Sequence, residues 1–388
     1  MQHVGQPFSR MRKIQMGWLT RLVVHMKYAA RRPALFANAK NTNGLALKKE
    51  VFDMKKVTVL LSPPNSSDIS IEEMKTRWEE LNEIPNVQCN IVTYTGRQTP
   101  DLVNELIPAD ADAVIGVFLQ KAIMTESFFD SHPNLKYMAG TAHGYEEIDK
   151  SITKKYGVTV TNTIYGSNTI AQFAFALLLD ICHHVELHNT YLKQHDWAHD
   201  AAPRFMQSFT TQIELCDLTF GIIGLGSIGF CAAKIANGFG MKVLAYSRHK
   251  KEGAQYDFIE QVPLDELYAR SDVISIHTPL TNETKGMINK HSIAKMKDGV
   301  IFINTSRGGL VVEDDLVEAL NSGKIYAAGL DVISEEPPRS NLPILSCKNA
   351  TITPHIAYLP KSSRFRSVRI AIDNYKAYLA GHPTSVVS

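Results

Sequence analysis

The stretch Phe220 to Lys251, FGIIGLGSIGFCAAKIANGFGMKVLAYSRHKK, decides the fold. An apolar run of Phe220, Ile222 and Ile223 ends in Gly224-Leu225-Gly226-Ser227-Ile228-Gly229, and a helix-compatible stretch then runs through Phe239 into a second strand. In that order each glycine has a mechanical task. Gly224 permits the turn, Gly226 lets the backbone approach a pyrophosphate, and Gly229 lets helix and strand pack closely, with phosphate charge at the helix N-terminus. A bare GxGxxG is weak, because glycine-rich turns are common; embedded in strand, turn, helix and strand it predicts a dinucleotide site.

The end of the second strand bears on which dinucleotide. NAD binders carry an acidic residue about 20 positions beyond the glycines, where it accepts from the ribose hydroxyls and repels a 2′-phosphate. Here Leu244-Ala245-Tyr246 runs into Ser247-Arg248-His249-Lys250-Lys251, with no carboxylate until Glu252. Such a cluster attracts the extra phosphate of NADP, with Ser247 and Arg248 at the contact. NADP(H) is therefore expected in preference to NAD(H), NAD remaining possible. A solvated basic loop is the alternative reading.

A chain of 388 residues exceeds a usual single core, so two domains are expected. A net charge of +2, with 44% hydrophobic and 21% charged residues, describes an ordinary globular protein and argues against a nucleic-acid partner. Cys89, Cys182, Cys216, Cys231 and Cys347 show no paired CxxC spacing, which argues against a zinc site or a disulfide framework and fits a reducing compartment. No apolar run reaches the roughly 20 residues that span a bilayer; the longest, Ile170 to Leu179, reads as a buried helix.

Residues 1–53 stand apart. No acidic residue precedes Glu50, while Arg10, Arg12, Lys13, Arg21, Lys27, Arg31 and Arg32 accumulate. A misassigned start, with Met54 the true beginning, or a disordered arm is one reading; a serine-poor organelle transit peptide is the other. The first implies a cytoplasmic protein and the second an organelle matrix.

From Val57 to Thr163 short β-branched runs alternate with helical stretches. Strands are expected at Val57–Leu61, Val87–Thr93, Ala113–Val117, Tyr137–Ala139 and Val158–Thr161, with helices at Ile71–Leu81 and near Pro100–Ile107. Such spacing predicts parallel βαβ units, in an α/β domain that lacks its own GxGxxG and contributes substrate contacts from loops at strand ends. Two loops stand out, Gly116 to Gln120 and Gly140-Thr141-Ala142-His143-Gly144-Tyr145. Small residues in the second leave backbone N–H groups for a carboxylate; packing glycines at a turn are the alternative, and His143 reads as a substrate contact or a solvated loop residue. Asn168 to His184 predicts an apolar helix buried between two domains. Beyond Phe220, strands at Asp272–His277, Val300–Asn304, Ala327–Val332 and Ala350–Thr353 alternate with helices at Leu264–Arg270, Lys290–Met296 and Glu313–Leu320, the pattern of a doubly wound parallel sheet.

Three polar residues follow strand ends: Arg307 in NTSRGG, Glu336 in GLDVISEEP and His355 in TPHI. Hydride transfer to a 2-oxo acid builds negative charge on the carbonyl oxygen, which a proton and a cation must meet. His355 suits the proton donor, Glu336 can fix its ring through the other nitrogen, and Arg307 can fork the carboxylate and polarise the carbonyl. Taken singly, each also reads as a surface charge, a solvated acid or a strand cap.

At these residues the chain resembles the D-isomer-specific 2-hydroxyacid dehydrogenases, the family of glyoxylate and hydroxypyruvate reductases, D-lactate dehydrogenase and phosphoglycerate dehydrogenase. AGTAHGYEEID, GVTVTNT, GLGSIG, HTPLTNET, NTSRGGLVVEDDLVEAL, GLDVISEEPP and TPHIA carry the likeness, from about Lys136 to His355 and more weakly out to Met54 and Ser388. The resemblance implies that Arg307, Glu336 and His355 are catalytic, that Ser227 and Ile228 meet the pyrophosphate, and that His277, Thr278, Pro279, Thr284, Thr305, Arg307 and His355 line the cofactor. It further implies that Asp331 contacts the nicotinamide amide and that Ala142, His143 and Gly144 hold the substrate carboxylate with Arg307. The implied architecture is α/β with two Rossmann-like domains, the dinucleotide-binding domain (164–355) inserted into a substrate domain (54–163 and 356–388) whose last helix, Arg364 to Ala380, returns at the C-terminus. A homodimer acting on a small 2-oxo or 2-hydroxy acid, without membrane or metal, completes the expectation. Gln172 stands where many members carry glutamate, and Tyr358 with Phe118 and Leu119 is expected to shape the pocket. Formate dehydrogenases, which have glutamine where Glu336 stands, are disfavoured. The competing functional class is a dinucleotide-sensing corepressor or scaffold, against which the retained trio argues.

Overall fold

Twelve strands form two sheets, all parallel, in a computed structural model that describes residues 54–388 apart from 65, 97, 117–122 and 196–207. The basic arm of residues 1–53 and the pocket residues Phe118 and Leu119 lie outside the described residues.

The first sheet is built from β1 (Lys55–Leu61), β2 (Val87–Thr93), β3 (Ala113–Gly116), β4 (Tyr137–Gly140) and β5 (Thr159–Thr161), in the order β2-β1-β3-β4-β5. Between them run α1 (Ile71–Trp78), α2 (Pro100–Leu106), α3 (Glu126–Ser131) and α4 (Lys150–Tyr156). Each helix opens on a residue that satisfies its orphan N–H groups: Ser70 in a capping box with Glu73, then Thr99, Thr125 and Asp149. The helix expected at Ile71–Leu81 ends at Trp78 and tightens into a 3₁₀ turn, Glu79–Glu83. The short helices α3 and α4 are not legible in hydrophobic periodicity, because six or seven residues scarcely fill two turns.

After α5 (Ser167–His183) and α6 (Val185–Gln194) the chain builds the second sheet from β6 (Thr219–Ile223), β7 (Lys242–Tyr246), β8 (Ile259–Gln261), β9 (Val273–Ile276), β10 (Val300–Asn304), β11 (Ile325–Leu330) and β12 (Ala350–Ile352). Its helices are α7 (Ser227–Gly238), α8 (Leu264–Arg270), α9 (Lys290–Ala294) and α10 (Glu313–Ser322). The order β12-β11-β10-β9-β6-β7-β8 reverses between β6 and β9, the topological switch point where ligands of doubly wound folds bind. Apolar side chains on both faces explain the continuous hydrophobic strands. Ala171, Leu178, Ala232 and Ala236 of α5 and α7 cover one face, and Leu267, Leu316 and Leu320 of α8 and α10 cover the other.

Helix α5 departs from expectation. It packs on the second sheet rather than between two domains, because Gly329 in β11 leaves room: a Cβ there would fall 2.8 Å from Leu177 Cβ and 2.9 Å from Ile303 Cδ1.

The chain then returns to the first sheet. Helix α11 (Lys361–Leu379) buries Val368, Ala371, Ile372 and Tyr375 against Val57, Val59, Ala113 and Tyr137, and Val386 bridges Thr161 at the sheet edge. The second sheet is thus inserted within the first domain, and only α/β layers enclose both cores.

Pairing register places the chemistry. In the second sheet Ile223 pairs with Ile276 and Tyr246, Asn304 with Ile276 and Leu330, and Leu330 with Ile352. The segments beginning Gly224, His277, Thr305, Asp331 and Thr353 therefore leave the sheet at one level and on one edge.

Candidate active site

The glycine turn lies at the bottom of that crevice. Gly224 has φ 103°, a conformation glycine adopts freely, and a Cβ on it would sit 2.5 Å from the His277 carbonyl oxygen. A Cβ on Gly229 would overlap the Gly224 carbonyl, so α7 can start this close to β6 only without one. A Cβ on Gly226 would meet nothing within 4 Å, and the first N–H groups of α7, at Ser227 and Ile228, point out of the helix end beside that opening.

Polar atoms without protein partners line the same crevice. His277 is buried, its Nε2 2.9 Å from Ser275 Oγ, while its Nδ1 and the Thr305 hydroxyl have no partner among the described residues. Burial pushes the His277 pKa down to about 4, so its ring is neutral. Pro279, which follows Thr278, is held by Thr284, whose hydroxyl donates to the Pro279 carbonyl at 2.7 Å. These features suit a nicotinamide dinucleotide, with the pyrophosphate over Gly226 and a polar group at His277 and Thr305. At the outer end, beyond β7, Ser247 donates to the His249 carbonyl at 2.6 Å and Arg248 is exposed.

At the inner end His355 takes φ 56°, a left-handed conformation that a non-glycine residue adopts at a cost. Asp331 holds it there. Its carbonyl accepts from His355 N–H at 2.9 Å, and its buried carboxylate accepts from Thr353 Oγ1 at 2.7 Å and from Ile356 and Ala357 N–H at 2.9 Å each. Burial raises the Asp331 pKa and those hydrogen bonds oppose the rise. Both carboxylate oxygens thus serve the turn.

His355 Nδ1 is 2.7 Å from Glu336 Oε2, and Glu336 Oε1 accepts from Ile333 N–H at 2.9 Å. Burial opposes the Glu336 charge, but the bond to His355, the Ile333 N–H and the Arg307 charge outweigh it and hold the carboxyl below its usual range. An ionised Glu336 accepts only, so Nδ1 carries a proton and Nε2, which has no partner among the described residues, faces outward. Gly308 brings the Arg307 turn to this loop, since a Cβ on it would overlap the Ile333 carbonyl.

Arg307 donates from Nη1 to the Ser306 carbonyl at 2.8 Å, and Glu146 lies against Nε at 3.2 Å and Nη2 at 3.4 Å. Its guanidinium rests on Gly144, where any Cβ would collide with Nη2. In the same loop the carbonyls of Ala142 and His143 accept from Thr163 N–H at 3.1 Å and Asn162 Nδ2 at 2.7 Å. The N–H groups of Ala142, His143 and Gly144 have no acceptor among the described residues. His143 is not a solvated loop residue: both ring nitrogens are enclosed without partners among the described residues, and burial, with the Arg307 charge beside it, pushes its pKa down to about 4. The fold thus gathers Arg307, Glu336, His355 and the Ala142–Gly144 loop, while Ser247 and Arg248 stand apart at the far end of the crevice. Sequence reading missed Glu146 and Asn162; the carboxylate two positions after Gly144 was the available signal for the first.

A strand-end crevice of this kind, with a glycine turn, an imidazole–carboxylate pair and a guanidinium, defines a dinucleotide-dependent oxidoreductase. Residues 175–357 match a family model described as "D-isomer specific 2-hydroxyacid dehydrogenase, NAD binding domain". A hydroxypyruvate reductase of Blautia hydrogenotrophica is 46% identical over 76% of this chain and 91% of its own length. Among solved structures, D-lactate dehydrogenase of Aquifex aeolicus, complexed with NAD and lactic acid, superposes with TM-score 0.67 at 30% identity over 84% of this chain and 96% of that one. An acyclic imino acid reductase in complex with NADPH and D-Arg gives TM-score 0.70 at 25% identity over 86% and 100%. The chain belongs to the D-isomer-specific 2-hydroxyacid dehydrogenase family, and it is a nicotinamide-dinucleotide-dependent oxidoreductase of that class. No single helix among the described residues is long and apolar enough to cross a membrane.

The neutral His277 has a consequence for stability. Unfolded, it titrates near 6.5; folded, near 4, so between these values the unfolded chain binds more protons and folding weakens as pH falls. The loss reaches about 3 kcal/mol at the acid end. The thermal midpoint is expected to fall from pH 6.5 to 4, and less steeply in His277→Asn; an identical slope in the variant contradicts the burial argument.

Proposed function

We propose that the protein reduces a small 2-oxo acid, such as glyoxylate or hydroxypyruvate, to the D-2-hydroxy acid, with NADP(H) preferred. The observation that carries this reading is the 2.7 Å contact of His355 with Glu336 on the strand edge that also presents Arg307. When bound, the dinucleotide supplies or accepts a hydride at C4 of its nicotinamide.

The substrate carboxylate rests on the N–H groups of Ala142, His143 and Gly144 and on the Arg307 guanidinium. Arg307 also polarises the carbonyl. His355 Nε2 gives the proton to the developing alkoxide in reduction and takes it back in oxidation, while ionised Glu336 fixes the ring and steadies its cationic form. A neutral His143 adds no second cation beside Arg307, which keeps the guanidinium the dominant charge met by the carboxylate. Thr305 and His277 orient the nicotinamide end, and Asp331 acts through the His355 turn.

Preference for NADP(H) rests on the basic run Ser247-Arg248-His249-Lys250-Lys251 where an NAD-selective carboxylate would stand. The name of the Blautia relative supports the hydroxypyruvate reading. A homodimer is favoured by the exposed Val185, Leu187 and Phe209 around α6, an apolar group that water would not leave bare at no cost. Cytoplasmic residence fits the five free cysteines.

A panel of 2-oxo acids followed by NADPH and NADH oxidation tests the reaction. His355→Ala is expected to lower kcat by roughly 10²- to 10⁴-fold while the NADPH Kd stays within about twofold; equal loss of both, or no loss, contradicts the proton-transfer role. Arg248→Asp is expected to move the NADPH:NADH ratio of kcat/KM by about tenfold or more towards NADH, the worth of one charge-assisted hydrogen bond. An unaltered ratio removes the cofactor argument.

A further inference from the structure

One residue of the loop after β4 has no part in the chemistry above. Glu146 takes the side-on edge of Arg307, with Oε1 3.2 Å from Nε and Oε2 accepting from Nη2 at 3.4 Å. The Ser306 carbonyl holds Nη1 from another side at 2.8 Å. A guanidinium has five N–H groups in a rigid fork, and Nη2 carries one hydrogen for each of two edges. With the side-on edge and one Nη1 hydrogen engaged, one N–H on each of Nη1 and Nη2 is left for a ligand. Gly144 makes the arrangement possible, since a Cβ there would collide with Nη2 and lie 2.6 Å from Glu146 Oε2. Guanidinium and carboxylate thus lie flat on a backbone that has no side chain to push them off.

Magnitudes say what the pair is for. Arg307 and Glu146 are 33% and 29% exposed, so water screens much of their attraction and little global stability follows from it. Orientation is another matter, because a long arginine has many rotamers and a forked contact with a 2-oxo acid needs one of them.

We infer that Glu146 is a positioning residue that sets the Arg307 guanidinium so its end-on fork meets the carboxylate and carbonyl oxygen of the substrate. The inference deepens the 2-oxo acid reading and rests on it. The contrary arrangement, in which Glu146 is a resident competitor that the substrate carboxylate displaces, predicts the opposite sign for its removal.

Two measurements on the full chain decide it: kcat and KM for glyoxylate with NADPH, and the Kd of oxalate by calorimetry with NADPH bound. Glu146→Gln keeps size but removes the charge and one of the two acceptor oxygens. It is expected to leave the thermal midpoint and NADPH Kd unchanged, to lower kcat/KM about tenfold chiefly through kcat, and to weaken oxalate several-fold, with Glu146→Asp recovering part of each. In the Arg307→Lys background, where the ammonium has no side-on edge, Glu146→Gln should change oxalate binding by less than twofold. Unchanged kinetics, a lowered KM at constant kcat, or the same loss of oxalate affinity in the Arg307→Lys background overturns the inference. Wild-type silence towards every 2-oxo acid removes the reaction itself, and this inference with it; wild-type turnover with an unaffected Glu146→Gln removes this inference alone.

Discussion

Asp331 carries the constraint on which the site depends. A non-glycine residue held at positive φ costs on the order of 1–3 kcal/mol, and His355 at φ 56° is such a residue. Three hydrogen bonds to the Asp331 carboxylate, with a fourth from the His355 N–H to the Asp331 carbonyl, fix the backbone in that conformation. The strain is therefore kept in the native state, and its effect is directional: it brings the imidazole after β12 to Glu336, which engages Nδ1 and leaves Nε2 without a partner among the described residues. The rest of the site is arranged around that orientation. Glu336 locks the ring from behind, Gly308 presses the Arg307 turn against the Glu336 loop, and Gly144 gives the guanidinium a floor.

Parallel register does the coarse work that this clamp refines. Because Ile223, Ile276, Asn304, Leu330 and Ile352 are aligned across the sheet, residues far apart in sequence emerge at one level without any contact having to draw them together. The remaining wall comes from the first domain, where β4 delivers Ala142, His143 and Gly144. Charge is then apportioned by burial at the two histidines and by hydrogen bonds and the Arg307 charge, against burial, at Glu336. His143 and His277 are kept neutral, Glu336 is kept ionised, and one guanidinium is left to face an anionic ligand.

Much of this was legible in the sequence, for definite reasons. The GLGSIG turn is readable because its three glycines stand at a fixed spacing between an apolar strand and a helix, a purely local pattern, and the long hydrophobic strands are readable because both faces of a parallel sheet are covered. Arg307, Glu336 and His355 were legible as residues following strand ends. Less legible was whatever depends on contacts between distant segments. The Asp331 clamp joins two loops, Glu146 reaches Arg307 from another domain, and α5 was misplaced between domains because its apolar composition says that it is buried and not where. The three-residue strand β8 and the short helices α3 and α4 carry too few residues to show a period.

The central claim is that Arg307, Glu336 and His355 act together on one small 2-oxo acid beside the nicotinamide. A crystal structure of the protein with NADPH and oxalate tests it most directly. The account predicts one oxalate carboxylate on the end-on fork of Arg307 and the Ala142–Gly144 backbone, with another oxalate oxygen about 2.6–3.2 Å from His355 Nε2 and the His355–Glu336 contact intact. Oxalate bound away from Arg307, or with His355 turned out of reach, would contradict it.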